Sequence, residues 1–75
     1  MQKSFLEQYK KLGLNIAYYR KLRGFSQEKL AEKVDISRTH MSRIETADCA
    51  VSLDVVFGLA EALDIEPSKL FENKE

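Results

Sequence analysis

The chain has 75 residues, 44% of them hydrophobic and 32% charged, which supports one small core and not two. No run approaches the roughly 20 apolar residues that span a bilayer. A lone cysteine, Cys49, and a lone histidine, His40, exclude an internal disulfide and a four-ligand zinc site within one chain, and twelve bases balance twelve acids, so only the placement of charge can point to a partner.

The start, MQKSFLEQYKKLG, is charged where an export signal needs an apolar run, which predicts a cytoplasmic protein in a reducing compartment. Ser4 and Glu7 have the spacing of a capping box and open a first helix. Phe5, Leu12, Ile16, Tyr19 and Leu22 then recur at helical spacing up to Arg23-Gly24, where glycine offers a C-cap. Gly13 interrupts this run and costs about 1 kcal/mol of helix propensity relative to alanine.

Ser26 caps a second helix, with Glu28 in its first turn and Leu30, Ala31 and Val34 as its apolar stripe. Asp35 occupies the turn, a residue that tolerates left-handed backbone better than most. Ser37 caps a third helix running from Arg38 to about Thr46, with Met41 and Ile44 inward. Residues 47–51 have no helical pattern. Ser52 caps a fourth helix that turns Leu53, Val56, Leu59, Ala60 and Leu63 to the core. After a break at Asp64-Ile65-Glu66, Pro67 suits the first position of a short fifth helix ending near Leu70-Phe71. The expectation is an all-α, five-helix domain over residues 1–75, with 1–11 extending the first helix and 72–75 a fraying tail.

From Gln27 onward the apolar positions fall at Leu30, Ala31, Val34, Ile36, Met41 and Ile44, two short amphipathic segments joined by a tight break. Ala31 is small at the place where two steeply crossing helices approach closely. This pattern resembles a helix-turn-helix, whose second helix enters the DNA major groove. The charge distribution agrees. Residues 1–19 carry three lysines against Glu7, a net +2; residues 20–43 carry seven bases against three acids, a net +4; residues 44–75 carry eight acids against two lysines, a net −6. A basic half joined to an acidic half fits a small DNA module with a polar back.

The residues Gly13, Ile16 and Arg20, the string Gly24-Phe25-Ser26-Gln27-Glu28-Lys29-Leu30-Ala31, then Ile36-Ser37, Ile44-Glu45, Leu53 and LAEALDI through Leu70-Phe71 resemble the Cro/C1-type (XRE-like) helix-turn-helix regulators. The likeness covers about residues 12–71. It implies a lambda-repressor-like fold with the helix-turn-helix formed by helices two and three. Two departures stand out. The family commonly has glycine where this chain has Asp35. It often follows the recognition helix with a basic loop, where this chain has Glu45-Thr46-Ala47-Asp48-Cys49-Ala50-Val51, with no base and one added acid.

Base reading needs side chains on the face of the third helix opposite Met41 and Ile44, which are Arg38, Thr39, Ser42 and Arg43. Arginine can grip guanine O6 and N7 at once, and threonine can offer a hydroxyl or a methyl. The resemblance also places Gln27 on a phosphate, and Ser37, His40, Lys21 and Arg23 are further candidates for the DNA backbone. It pairs Arg20 with Glu45 as a structural ion pair.

One helix-turn-helix covers about half an operator, so a homodimer on a near-palindromic double-stranded site is expected. Val55, Phe57, Ile65 and Phe71 are the candidate dimer residues, apolar in excess of what the core requires. The overall expectation is a stand-alone bacterial or phage transcriptional regulator, a repressor or controller. A second reading of the same residues is an antitoxin-like protein-interaction module with weak or lost DNA binding. No nucleophile–base pair, metal cluster or phosphate-cradling glycine loop stands in the sequence. Neither an enzyme, a cofactor, a small-molecule ligand nor a membrane partner is therefore expected.

Overall fold

The computed structural model describes residues 4–73; the charged start at 1–3 and the end of the expected fraying tail, 74–75, lie outside the described residues. Four α-helices follow one another: α1 (Leu6–Leu22), α2 (Gln27–Lys33), α3 (Arg38–Glu45) and α4 (Leu53–Leu63). The expected fifth helix is not α but a 3₁₀ helix, Pro67–Phe71. Five residues bounded by extended Glu66 and Glu72 leave little room for α-type bonds, and the tighter geometry suits such short pieces.

Three serines start helices as their positions predict. Ser26, Ser37 and Ser52 each accept, through Oγ, the backbone N–H three residues on, from Lys29, His40 and Val55 at 3.0, 3.0 and 3.2 Å. The capping box at Ser4 does not form. Its Oγ accepts instead from Leu6 at 3.2 Å, only two residues on, and Glu7 turns outward to Lys10 at 3.7 Å. Phe5 takes the place before the helix with no side-chain cap.

All four α-helices end alike. A residue with positive φ (Gly24, Asp35, Ala47 or Asp64) reverses the chain. The next residue then bonds back across the last turn, as Phe25 does to Arg20, Ile36 to Ala31, Asp48 to Arg43 and Ile65 to Ala60. This is the Schellman geometry, and only one of the four helices uses glycine for it.

The core gathers Leu12, Ile16 and Tyr19 of α1, Leu30 and Ala31 of α2, Met41 and Ile44 of α3, Val56, Leu59, Ala60 and Leu63 of α4, and Leu70. Each large apolar side chain buried this way contributes roughly 1.5–3 kcal/mol. Three residues expected inside are outside: Phe5 and Leu53 are 53% and 63% exposed, and Leu22 is 60% exposed. Phe5 precedes α1, Leu53 opens α4 and Leu22 closes α1, so each sits where its helix overhangs the core. Asn15 takes a core place instead. It is fully buried, and its Nδ2 donates to the carbonyls of Leu70 at 2.9 Å and Glu72 at 2.8 Å, tying the 3₁₀ helix to α1. Glu72, assigned to the fraying tail, is thus held at its backbone.

Candidate nucleic-acid interface

The link between α2 and α3 is four residues long, and each has a defined task. Val34 closes α2 half-buried, Asp35 turns the chain at φ 61°, Ile36 packs back toward the core, and Ser37 caps α3. Ala31, 2% exposed, and Leu30 give α2 a small inward face on which α3 crosses.

On α3 the burial pattern separates two faces. Met41 and Ile44 are buried, and at 100° per residue Thr39, Ser42 and Arg43 fall on the opposite side with Arg38 at its edge, all exposed except half-buried Ser42. Half-buried His40 and the nearly buried side chain of Glu45 flank the two faces. Arg38 and Arg43 form no ion pair among the described residues, so their guanidinium groups are unspent. Ser37 is exposed but engaged as the α3 cap.

The end of α3 is fixed by a polar network around Glu45. Arg20 donates from Nε to Oε2 at 2.7 Å and from Nη2 to Oε1 at 3.1 Å, while its Nη1 donates to the Phe25 carbonyl at 2.9 Å. Gln27 adds a bond from Nε2 to Oε1 at 3.0 Å. The two charged side chains are only 11% and 6% exposed. Burial of this kind demands complete pairing, and the fork of Arg20 against the carboxylate supplies it. The last residue of α3 is thereby bound to α1 and to the first residue of α2. Gln27 keeps one further N–H on Nε2 beyond the bond to Glu45.

The other backbone candidates divide. Lys21 is exposed at the end of α1. Arg23 is held elsewhere: its Nε donates to the Leu63 carbonyl at 2.7 Å and its Nη2 to the Asp64 carbonyl at 3.3 Å, closing the end of α4. Cations favour a helix C-terminus, but the 40-residue separation concealed which helix Arg23 would serve. After α3, Thr46 donates back to the Ser42 carbonyl at 3.0 Å, Asp48 is exposed, and Cys49 is half-buried against the core.

Of the dimer candidates, Val55 and Ile65 pack against the core, whereas Phe57 and Phe71 are about half exposed. Phe71 helps line a half-open apolar groove of about 280 Å³ with Phe5, Tyr9, Leu12, Leu53 and Val56. Among the described residues no helix is long and apolar enough to cross a membrane, and no three His, Cys, Asp or Glu side chains gather as metal ligands do.

Comparison with known proteins gives a consistent result. Residues 16–70 match the helix-turn-helix family HTH_3. The control protein C.BamHI of Bacillus amyloliquefaciens is 43% identical over 47 residues, 63% of this chain and 58% of that protein, so the chain spans little more than half the length of this curated relative. The structure is similar to that of the restriction-modification controller protein C.AhdI from Aeromonas hydrophila, with a TM-score of 0.83 and 37% identity over 87% of this chain and 98% of that one. It is also similar to C.Esp1396I bound to a 25 base pair operator site, with a TM-score of 0.76 and 28% identity over 92% of this chain and 88% of that one.

Proposed function

The chain belongs to the helix-turn-helix family HTH_3, and from that premise we propose that it is a cytoplasmic, sequence-specific regulator of transcription of the repressor or controller kind, binding double-stranded DNA as a homodimer on a near-palindromic operator. The observation that carries this reading is the outward face of α3. Arg38, Thr39, Ser42 and Arg43 project from a helix whose far end is anchored by Glu45, and neither arginine is used inside the fold. Each good bidentate grip on guanine is worth about 1–3 kcal/mol of discrimination. Gln27, Lys21, Ser37 and His40 serve the phosphates, which set register without carrying sequence. Arg23, exposed beside them, also supports the end of α4. The relatives C.BamHI, C.AhdI and C.Esp1396I are controller proteins, and the last is seen on its operator.

The dimer is assigned to the half-exposed aromatics Phe57 and Phe71, with Val55 and Ile65 behind them; the fold leaves these apolar rings at the surface. The exposed acid Asp48 in the loop after α3 weakens the phosphate contact at that point, and the paired half-sites offset this.

The deciding experiment is selection from a random duplex library at about 150 mM salt, where phosphate contacts alone no longer dominate. Enrichment of a near-palindrome with guanines in both half-sites is expected, and Arg38→Ala and Arg43→Ala should each relax one position of it. Selection of no sequence by folded protein would overturn the reading in favour of a protein-binding module.

A further inference from the structure

Gly13 is the feature of α1 that helix propensity does not explain. It lies mid-helix, buried on the side that meets α3. A Cβ added there would stand 2.5 Å from the Glu45 carbonyl oxygen, 2.7 Å from that of Ile44 and 2.8 Å from the Glu45 carbonyl carbon. These are backbone atoms, so no rotamer change can relieve the contact. Gly58, mid-helix in α4, is the counterexample: a Cβ there meets only Val34, at 3.7 Å, an ordinary van der Waals contact. Gly24 has φ +78° and open space around it, so its role is the turn. Of the three glycines, Gly13 alone is required by how closely two helices approach.

The approach falls at the end of α3 that Arg20 and Gln27 grip through Glu45. Gly13 and Arg20 are seven residues apart, two turns along one face of α1. The backbone contact and the side-chain clamp therefore act on the same last turn of α3. The clamp keeps that turn from drifting outward, and the bare Cα of Gly13 sets how far inward it can come.

We propose that Gly13 is a specificity-determining positioning residue: by setting the depth at which α3 seats on α1, it sets where Arg38, Thr39, Ser42 and Arg43 meet the base edges. This rests on the DNA-reading role of α3 argued above. A methyl at position 13 displaces the end of α3 by roughly an ångström to reach a normal contact distance. A recognition surface tolerates about 0.5 Å. Base-edge hydrogen bonds are short and directional, so they suffer from such a shift. Phosphate attraction is long-ranged and carries no sequence information, so it persists. Substitution at Gly13 therefore erodes the preference for the operator more than it erodes DNA binding itself.

The test compares Gly13→Ala with Gly58→Ala, the same chemical change inside two helices. Each variant is titrated with the duplex selected by the wild-type protein and with a scrambled duplex of equal length. Backbone amide NMR spectra are recorded without DNA. For Gly13→Ala the preference for the selected duplex is expected to fall about tenfold or more, the equivalent of one good base contact, while affinity for the scrambled duplex stays within about twofold. Amide shifts should extend from Gly13 into α3. Gly58→Ala should keep the wild-type preference.

An unchanged preference in folded Gly13→Ala, or an equal loss on both duplexes, overturns the proposal. If Gly13→Ala does not fold, the double variant Gly13→Ala/Gly58→Ala adds helix propensity in α4 to offset the cost of the clash for the same assays. A double variant that is also unfolded assigns Gly13 to folding alone and overturns the specificity role. If the wild-type protein selects no duplex, the DNA-reading function fails, and the specificity role falls with it. Amide shifts reaching α3 would in that case still show that Gly13 seats the helix.

Discussion

At the Arg20 end of α1, four hydrogen bonds converge on or around one carboxylate, and the charged pair at their centre, Arg20 and Glu45, is almost wholly shielded from water. At the Phe5 end, Phe5, Tyr9, Leu12, Leu53, Val56 and Phe71 meet around a half-open groove, and Asn15 adds a polar tie to the carbonyls of Leu70 and Glu72. The two ends of one helix are thus fixed by different physics. Directional bonds define an orientation, while apolar contact defines only proximity. The end that holds α3 in a fixed pose is built from the first kind. The end with apolar rings to spare is built from the second, and it is the softer of the two.

The largest effect that would break this contrast is expected at Glu45. Glu45→Ala leaves the Arg20 guanidinium nearly buried without its partner, a situation that costs about 3–5 kcal/mol. Urea unfolding should record that loss, and the double variant Arg20→Ala/Glu45→Ala should lose less than the sum of its single changes. Additive losses would mean that the clamp is a set of independent contacts rather than one network. At the softer end, Asn15→Ala removes both ties to the 3₁₀ helix and should cost about 1–3 kcal/mol. Its sequence preference on DNA should match wild type, since α3 is anchored elsewhere. A changed preference would show that the two ends are coupled through α1.

The parts of this architecture that were legible in the sequence are those fixed locally. Ser26, Ser37 and Ser52 cap helices because a serine needs only the N–H three residues on, and Met41 and Ile44 point inward because one turn of helix separates them. Asp35 could be placed in the turn because aspartate tolerates its backbone angles. The residues that resisted prediction depend on distant partners. Asn15 sits one place before Ile16 on the α1 core face; a polar residue there signals a buried partner, but the partners lie 55 and 57 residues away. Arg23 was read for the DNA backbone, and its bonds to the end of α4 were hidden because the partner lies 40 residues away. Leu53 and Phe5 carry the right residue type at positions where no neighbour arrives to cover them. Gly13 read as a flaw in a helix because the carbonyls that exclude a side chain belong to α3. The outward face of α3 was readable for the opposite reason: it needs only the absence of a neighbour.

The smallest expected effect sharpens the contrast at the edge of the clamp. Of the four left-handed residues that end helices, Gly24 has no Cβ to strain and Asp35 and Asp64 tolerate the region, but Ala47 has neither advantage. It directly follows the last turn of α3, where Asp48 bonds back to Arg43 at 2.8 Å. The chain is over-determined there, by Glu45 on one side and by Cys49 and Val51 packing on the other, and strain of this order persists only under such constraint. Ala47→Gly should relieve the left-handed cost, which exceeds the extra entropy that glycine gives the unfolded chain, for a net gain of about 0.4–1 kcal/mol in thermal or urea unfolding. The same change at Asp35 should gain less, because aspartate already tolerates its angles. If Asp35→Gly gained as much as Ala47→Gly, the cost at position 47 would reflect no more than an ordinary turn, and the clamp could not be credited with holding an alanine there.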